Sequence, residues 1–370
     1  MTTDLDTIAM LRDSMERYCA DRYSFLQRGP LLQQPGGFSA QTWQDFAEFG
    51  WLSLRLPEDL GGLAGDAVAV GALMEVVGSR LLLEPLLASV VVASGLLLKQ
   101  GSAAQQAELL PALAEGRLKL VLSHGASHEL CDYAEGRLSG SQQAVLHGDI
   151  AEQLLVPARD TEGQLRFCLV EANAVGVSRQ AFRLVDGRGA ANLQFAAAPA
   201  LLLQAEAGAP SAEQALAEVC DEASVALCAE ALGVATSLLR ITNDYLKVRQ
   251  QFGKPLAANQ ALQHRMAELY LLTEEIRALT RAAQQAMCLP AEERARTLSG
   301  ARAYISQAAR HIGNEAIQLH GGVGITEELE VSHYFRRLMV NAALFGNRDQ
   351  HFQRFVELSL AADCKEVDHA

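Results

Sequence analysis

A short polar break between two long helical patterns constrains this chain more than any other feature. It lies in Leu246–Glu268, LKVRQQFGKPLAANQALQHRMAE. Upstream, apolar or small residues recur at helical spacing, among them Val219, Ala223, Leu227, Leu238 and Leu246. Downstream, the spacing resumes at Leu262, Met266, Leu269 and Leu272. Two helices joined by so brief an interruption run antiparallel. The break holds Arg249, Phe252, Gly253, Pro255 and Gln260. A guanidinium offers a permanent charge and a fork of donors suited to phosphate oxygens, and the amide of Gln260 can pair with the edge of a base. Taken alone, the same two residues at helix ends read first as surface residues capping carbonyls. Residue type and spacing leave both readings open.

At 370 residues the chain has room for two or three domains around a large interior. Its net charge of −13 comes with no basic stripe, which excludes nucleic acid and anionic membrane as natural partners, and Arg336-Arg337 reads as a solvated pair. The seven cysteines contain no C-x-x-C pair, so neither a zinc site nor a disulfide framework is indicated, and a reducing compartment fits. His124, His128 and His147 have no recurring Asp or Cys beside them and read as structural or partly exposed, not as metal ligands. The first residues, with Asp4 and Asp6, lack the pattern of a secretory signal, and a cytoplasmic location is expected. The apolar run Leu81–Leu98 is interrupted by Glu84 and Pro85, which predicts a buried core helix after a proline, not a membrane span.

Three textures follow one another along the chain. Helical periodicity runs from Leu5 to about Ala114, with a Gly/Pro/Gln-rich loop at Gly29–Phe38, an N-cap at Ser39 and another capped start at Gly101-Ser102. From Leu118 to about Leu203, strand-length apolar runs alternate with glycine turns and predict a mostly antiparallel β domain. Ala207–Pro210 reads as a linker, and Ser211 with Gln214 as a capping box that opens the long helix leading to Arg249. Helical patterns then occupy Gln260–Met287, Pro290–His320, Glu327–Asn341 and Asn347–Ala362. The expected division is a helical domain over 1–116, a β domain over 117–206 and a helical bundle over 207–370.

Two spaced motifs resemble the acyl-CoA dehydrogenase family. Arg249-Gln250-Gln251-Phe252-Gly253-Lys254 is similar to its arginine-x-x-phenylalanine-glycine-lysine segment, and Gln318-Leu319-His320-Gly321-Gly322 to its glutamine-x-x-glycine-glycine turn. Tyr334-Phe335-Arg336 resembles the segment that follows. Near the N-terminus, Gly50-Trp51, Leu56-Pro57 and Gly61-Gly62 resemble a further family progression. The resemblance covers nearly the whole chain and implies an α+β fold: an N-terminal helical domain, a middle antiparallel β domain and a C-terminal four-helix bundle.

That family oxidises an acyl-CoA thioester between its α and β carbons, with a carboxylate base for the α-proton and FAD for the hydride. The resemblance implies that Arg249, Phe252, Gln260, Gln318, Gly321 and Gly322 hold the ADP portion of FAD, with close backbone approach at the two glycines. The base is missing. The family's usual glutamate position falls on Phe345, and a second position used by a minority falls on Ala223, leaving Glu222 or Asp221 as neighbours that a shift of one residue would recruit. Otherwise both are solvated helix-surface carboxylates. The hydroxyl and backbone contacts to the flavin ring are also depleted: the corresponding stretches read Ser123-His124-Gly125-Ala126-Ser127-His128 and Ala144-Val145-Leu146-His147-Gly148. In the family one subunit seats the ring while its neighbour supplies the arginine and the glycine turn. The resemblance therefore implies one half of a hetero-oligomer, α2β2 in form, whose related partner supplies the ring seat, the acyl-CoA site and the base. Bulky steroid side-chain thioesters are the implied substrate class. A self-sufficient homo-oligomer using Glu222 or Asp221, and a flavin-free scaffold, are the alternatives.

Overall fold

The structure is a computed structural model that describes residues 4–124 and 130–368. Among the described residues six α-helices precede the sheet: α1 (Leu5–Arg22), α2 (Phe25–Leu31), α3 (Ala40–Glu48), α4 (Ala67–Arg80), α5 (Ser94–Gln100) and α6 (Ala103–Ala114). Eight strands follow: β1 (Leu120–Leu122), β2 (Cys131–Ala134), β3 (Arg137–Leu146), β4 (Gln153–Arg159), β5 (Leu165–Glu171), β6 (Val177–Arg183), β7 (Gly189–Pro199) and β8 (Leu201–Leu202). The C-terminal region contains α7 (Ala212–Val248), a small hairpin of β9 (Gln250–Gln251) and β10 (Lys254–Pro255), then α8 (Gln260–Ala286), α9 (Ala291–His320), α10 (Glu330–Asn341) and α11 (Arg348–Asp368). Among the described residues this is the expected succession of helices, sheet and helices, the architecture of the acyl-CoA dehydrogenase fold. The chain packs as two compact units. One holds the described residues of 26–70 and 83–223, the other those of 5–25, 71–82 and 224–370.

In the first unit, local signals fix the helix starts. Thr42 N–H donates to Ser39 Oγ at 3.2 Å, and Ser102 with Gln105 forms a reciprocal capping box. Ser211 and Gln214 do the same at the head of α7. After Pro85 the run Leu86–Ala93 is a π-helix with every side chain buried, and it continues into α5. A π turn departs from the regular i to i+4 pairing, and the carbonyl of Val91 accepts from Arg55 at 2.6 Å. The sheet order is β6-β7-β3-β2-β4-β5-β8, with β1 also on β4. Pairings are antiparallel except β1–β4 and β2–β4. β4 lies between neighbours on both sides and is buried from Leu154 to Ala158, whereas β3 and β7 alternate, sending Leu138, Val145, Leu193 and Phe195 into the core.

The second unit is organised on the later turns of α7, a helix long and apolar enough by composition to cross a membrane but mostly buried inside the protein. A Cβ at Gly78 would lie 2.1 Å from the carbonyl oxygen of Glu230, and one at Gly233 would lie 2.0 Å from that of Glu75, so glycine on each helix lets the backbones of α4 and α7 touch. The expectation that Arg336-Arg337 is a solvated pair is overturned. Arg337 is fully buried and donates to Glu230 at 2.8 Å and to the Leu82 carbonyl at 2.8 Å. Asn341 donates to the other Glu230 oxygen at 2.8 Å and accepts from buried Arg302 at 3.0 Å. Arg336 is engaged by both oxygens of Glu327. A buried cation needs a partner, and here the partner lies on α7, far away in sequence.

Candidate functional site

The motif residues of the second unit meet at one end of the bundle. Arg249 ends α7: its N–H donates to Tyr245 O at 2.8 Å, and its carbonyl accepts from Leu256 N–H at 2.8 Å. The hairpin that follows turns at Phe252 (φ +54°) and Gly253 (φ +79°), and Phe252 projects with its side chain 100% exposed. α8 starts at Gln260 and is tied to α9 by Arg265, whose Nε donates to Glu315 at 2.6 Å. Since the two helices are antiparallel, this pairing brings Gln260 to the same end as Gln318. α9 stops at Gly321 (φ 64°, ψ −147°), a conformation open to glycine alone.

Arg249, Gln260 and Gln318 are exposed, and none makes a side-chain hydrogen bond or ion pair with a described residue. The alternative that they cap carbonyls is therefore not what the structure contains. A Cβ at Gly321 or Gly322 would meet nothing of this chain within 4 Å. The crowding expected at these glycines does not come from the chain itself, and the space beside the turn is open. Val248, Val323 and Ile325 add exposed apolar surface at the same end. One cation and two amides, their side chains unengaged, beside a glycine turn with open space suit a ligand with phosphate oxygens and a heteroaromatic ring.

Tyr245 and His320 hold this end together, and neither is among the residues that the motifs single out. Their rings stack with centroids 4.3 Å apart and planes 26° apart, and the Tyr245 hydroxyl donates to the His320 carbonyl at 3.3 Å. Burial pushes His320 below the ordinary imidazole range, its Nδ1 bond to the Ala316 carbonyl at 2.8 Å offsetting this only in part. Their signal in the sequence is position: Tyr245 sits one helical turn before Arg249, and His320 lies between Gln318 and Gly322.

The first unit holds the stretches expected to touch a flavin ring, and their described residues carry few side-chain donors. Ser123 is fully buried; its N–H donates to Leu155 O at 2.7 Å, and its Oγ has no partner among the described residues. Ala144 (φ +54°) and buried Leu146 carry no side-chain donor, and the Ala144 N–H is taken by Asn192 Oδ1 at 3.0 Å. His124 lies 4.0 Å from Cys220 Sγ, and His147 is buried; His128 and its neighbours Gly125, Ala126 and Ser127 lie outside the described residues.

No carboxylate occupies either position expected for the base. Phe345 stands at one with φ +53°, its carbonyl 3.1 Å from His351 Nε2, while the Leu344 carbonyl accepts from Arg302 at 3.2 Å. Ala223 at the other is fully buried. Neither neighbour is a solvated surface group, which corrects that expectation. Asp221 is buried, and Glu222 accepts from Arg55 at 2.7 Å and faces Lys99 at 3.4 Å, which in turn meets Glu218 at 3.0 Å. Burial alone would raise the Glu222 carboxyl; Arg55 and Lys99 outweigh it and hold the group below the usual carboxylate range. A base for an α-proton needs the opposite shift.

Fold and site together define a chain of the acyl-CoA dehydrogenase class. Residues 6–117 match the sequence model of the family's N-terminal domain and residues 214–356 that of its C-terminal domain. The acyl-CoA dehydrogenase IpdE2 of Mycobacterium tuberculosis is 32% identical over 347 residues, 93% of this chain and 95% of that protein. Among solved structures, a variant of the Tcur3481-Tcur3483 steroid ACAD superposes with a TM-score of 0.87 at 26% identity, covering 97% of this chain and 99% of that one. The ChsE4-ChsE5 complex from Mycobacterium tuberculosis shares the fold, with a TM-score of 0.83 at 24% identity over 97% of this chain and 98% of that one. The chain belongs to the acyl-CoA dehydrogenase family, oxidoreductases whose cofactor is FAD.

Proposed function

We propose that this chain is one subunit of a hetero-oligomeric acyl-CoA dehydrogenase, and that it lends the ADP clamp to a flavin whose ring is seated by a related partner chain. The observation that carries the reading is an asymmetry. Arg249, Gln260 and Gln318 stand unengaged around a glycine turn with open space beside it, whereas Ser123 is sealed, Ala144 and Leu146 offer no side-chain donor, and Phe345 replaces a base. In this reading Arg249 neutralises pyrophosphate charge, the main chain at Gly321-Gly322 approaches it closely, Gln260 and Gln318 bond the adenosine portion, and Phe252 packs beside it. FAD, when bound, accepts the β-hydride of the acyl-CoA. The partner supplies the glutamate that removes the α-proton. Two relatives with paired names, Tcur3481-Tcur3483 and the ChsE4-ChsE5 complex, support a partner of the same family. The first is a steroid ACAD, which makes a bulky steroid-derived thioester the proposed substrate class. An α2β2 assembly in the cytoplasm completes the proposal.

The test is purification of this chain alone and co-expressed with a related acyl-CoA dehydrogenase subunit. Absorbance spectra should give a colourless single chain and a yellow complex that oxidises an acyl-CoA. Stoichiometric flavin with turnover by the single chain overturns the proposal in favour of a self-sufficient enzyme. A complex that never takes up flavin overturns it in favour of a scaffold.

A further inference from the structure

We infer that Tyr245 and His320 are a positioning pair that sets the Arg249 turn and the Gly321 turn at a fixed separation, so that both engage one dinucleotide at once. The inference rests on the clamp reading above and adds two residues that touch neither phosphate nor base in that reading.

The geometry is a continuous relay. The backbone of Arg249 is fixed on both sides, its N–H by the Tyr245 carbonyl at 2.8 Å and its carbonyl by Leu256 N–H at 2.8 Å. The Tyr245 side chain then reaches across to α9 by two separate contacts, the ring stack on His320 at 4.3 Å and the hydroxyl bond to the His320 carbonyl at 3.3 Å. That carbonyl belongs to the peptide joining His320 to Gly321, the residue at which the chain leaves helical conformation. The imidazole itself is anchored, with Nδ1 against the Ala316 carbonyl at 2.8 Å and the residue only 4% exposed. A rotation of Tyr245 would therefore move either the last turn of α7 or the peptide before Gly321.

This arrangement does what a clamp with two separate jaws requires. Arg249 and the glycine turn come from the ends of different helices, α7 and α9, which also meet farther back where Arg302 lies against Cys228; the Tyr245–His320 contact ties the two ends themselves. Holding them in register beforehand removes an ordering cost that the ligand would otherwise meet on binding. The exposed polar side chains make no hydrogen bond or ion pair with another described residue, so their placement follows that of their backbones, to which the stack beneath them contributes.

The test uses the full complex with its partner chain, stripped of flavin, and measures the dissociation constant for FAD and separately for ADP, alongside the apo-complex Tm. Tyr245→Leu and His320→Leu are expected to weaken both ligands about tenfold, and Tyr245→Phe, which keeps the stack and loses the hydroxyl bond, by a smaller factor. Tyr245→Phe also keeps the test open should the leucine variants fail to fold. In an Arg249→Ala background, Tyr245→Leu is expected to add little, because the pair acts through Arg249; additive losses assign it a merely structural role and overturn the inference. If Arg249→Ala weakens FAD while Tyr245→Phe, Tyr245→Leu and His320→Leu do not, the pair is not a positioning device and the clamp reading stands. If Arg249→Ala leaves FAD and ADP affinity unchanged, the clamp reading itself falls.

Discussion

Arg337 and Glu230 meet at 2.8 Å with neither side chain exposed, and Asn341 takes the second Glu230 oxygen. Removing one member leaves the other charge buried without its counterion, whereas replacing both removes the desolvation burden as well. Arg337→Ala is therefore expected to lower unfolding free energy by about 3–5 kcal/mol, and Glu230→Gln to do so by a smaller amount. The double replacement Arg337→Met with Glu230→Leu should recover much of the loss. Urea denaturation of the four chains checks this, and equal loss in single and double variants would contradict it.

Glu222 and Phe345 together decide whether the chain can remove a proton by itself. Glu222 is held ionised by Arg55 and Lys99, and in the proposed function the ring is seated by the partner chain. Phe345→Glu in the isolated chain is accordingly expected to yield no acyl-CoA oxidation with an artificial electron acceptor, because a base without a ring seat has no hydride acceptor. Glu222→Gln in the complex should instead act on stability. Its folded-state pKa is depressed, so its contribution is present above the ordinary carboxylate pKa and disappears as pH falls through the folded value. A Tm difference between Glu222→Gln and the parent that is present at neutral pH and shrinks on acidification is the expected outcome.

Much of this organisation is legible in the order of the residues alone, and the parts that are not share a physical cause. The break around Arg249 announces two antiparallel helices because periodicity on both sides is a local property. The caps at Ser39, Ser102 and Ser211 are legible for the same reason. The burial of Arg337, Arg302 and Arg28 is not, because a cation is interior only if some distant group receives it. For Arg337 that group is Glu230, and for Arg28 it is the Asp186 carbonyl at 2.7 Å. The stack of Tyr245 on His320 is not legible as a contact, although each residue lies beside a motif, because it joins two motifs that look independent along the chain. The ion pairs of Glu222 are hidden likewise, since Arg55 and Lys99 come from other elements, and the contact depends on Gly95, where a Cβ would lie 2.7 Å from Arg55 and 2.8 Å from Glu222.

His351 predicts a loss of stability in mild acid. Burial, followed by the charge of Arg302, pushes its imidazole down to about 4, while its Nε2 lies 3.1 Å from the Phe345 carbonyl. The unfolded chain binds this proton at the ordinary value near 6.5, so unfolding gains free energy as pH falls from about 6.5 toward 4. The contribution is fully present above the ordinary value and amounts to about 3 kcal/mol lost by pH 4. His351→Gln, which cannot take up a proton, should flatten this segment of the stability profile. A profile unchanged by the substitution would remove His351 as its source.

Asp149 has the opposite sign and gives a stabilising substitution. Its carboxyl is raised to about 6, chiefly by burial, and one oxygen has no partner among the described residues although Arg183 and Arg179 lie near enough to favour its charge. Arg179 is committed to the carbonyls of Gly148, Asp149 and Ala151, and Arg183 to those of Gln34 and Gly187. Neither donates to the carboxylate among the contacts formed. Folded Asp149 therefore holds its proton more tightly than the unfolded chain does, and stability falls as pH rises from the ordinary carboxylate value through about 6. Asp149→Asn replaces the carboxylate with a neutral group of the same shape and should raise the Tm at pH 7 by about 2–4 °C. The gain should vanish near pH 4, where the native carboxyl is already protonated. Calorimetry of both chains at the two pH values separates this from a general effect of lowering net negative charge, which would persist at any pH where the remaining carboxylates are ionised.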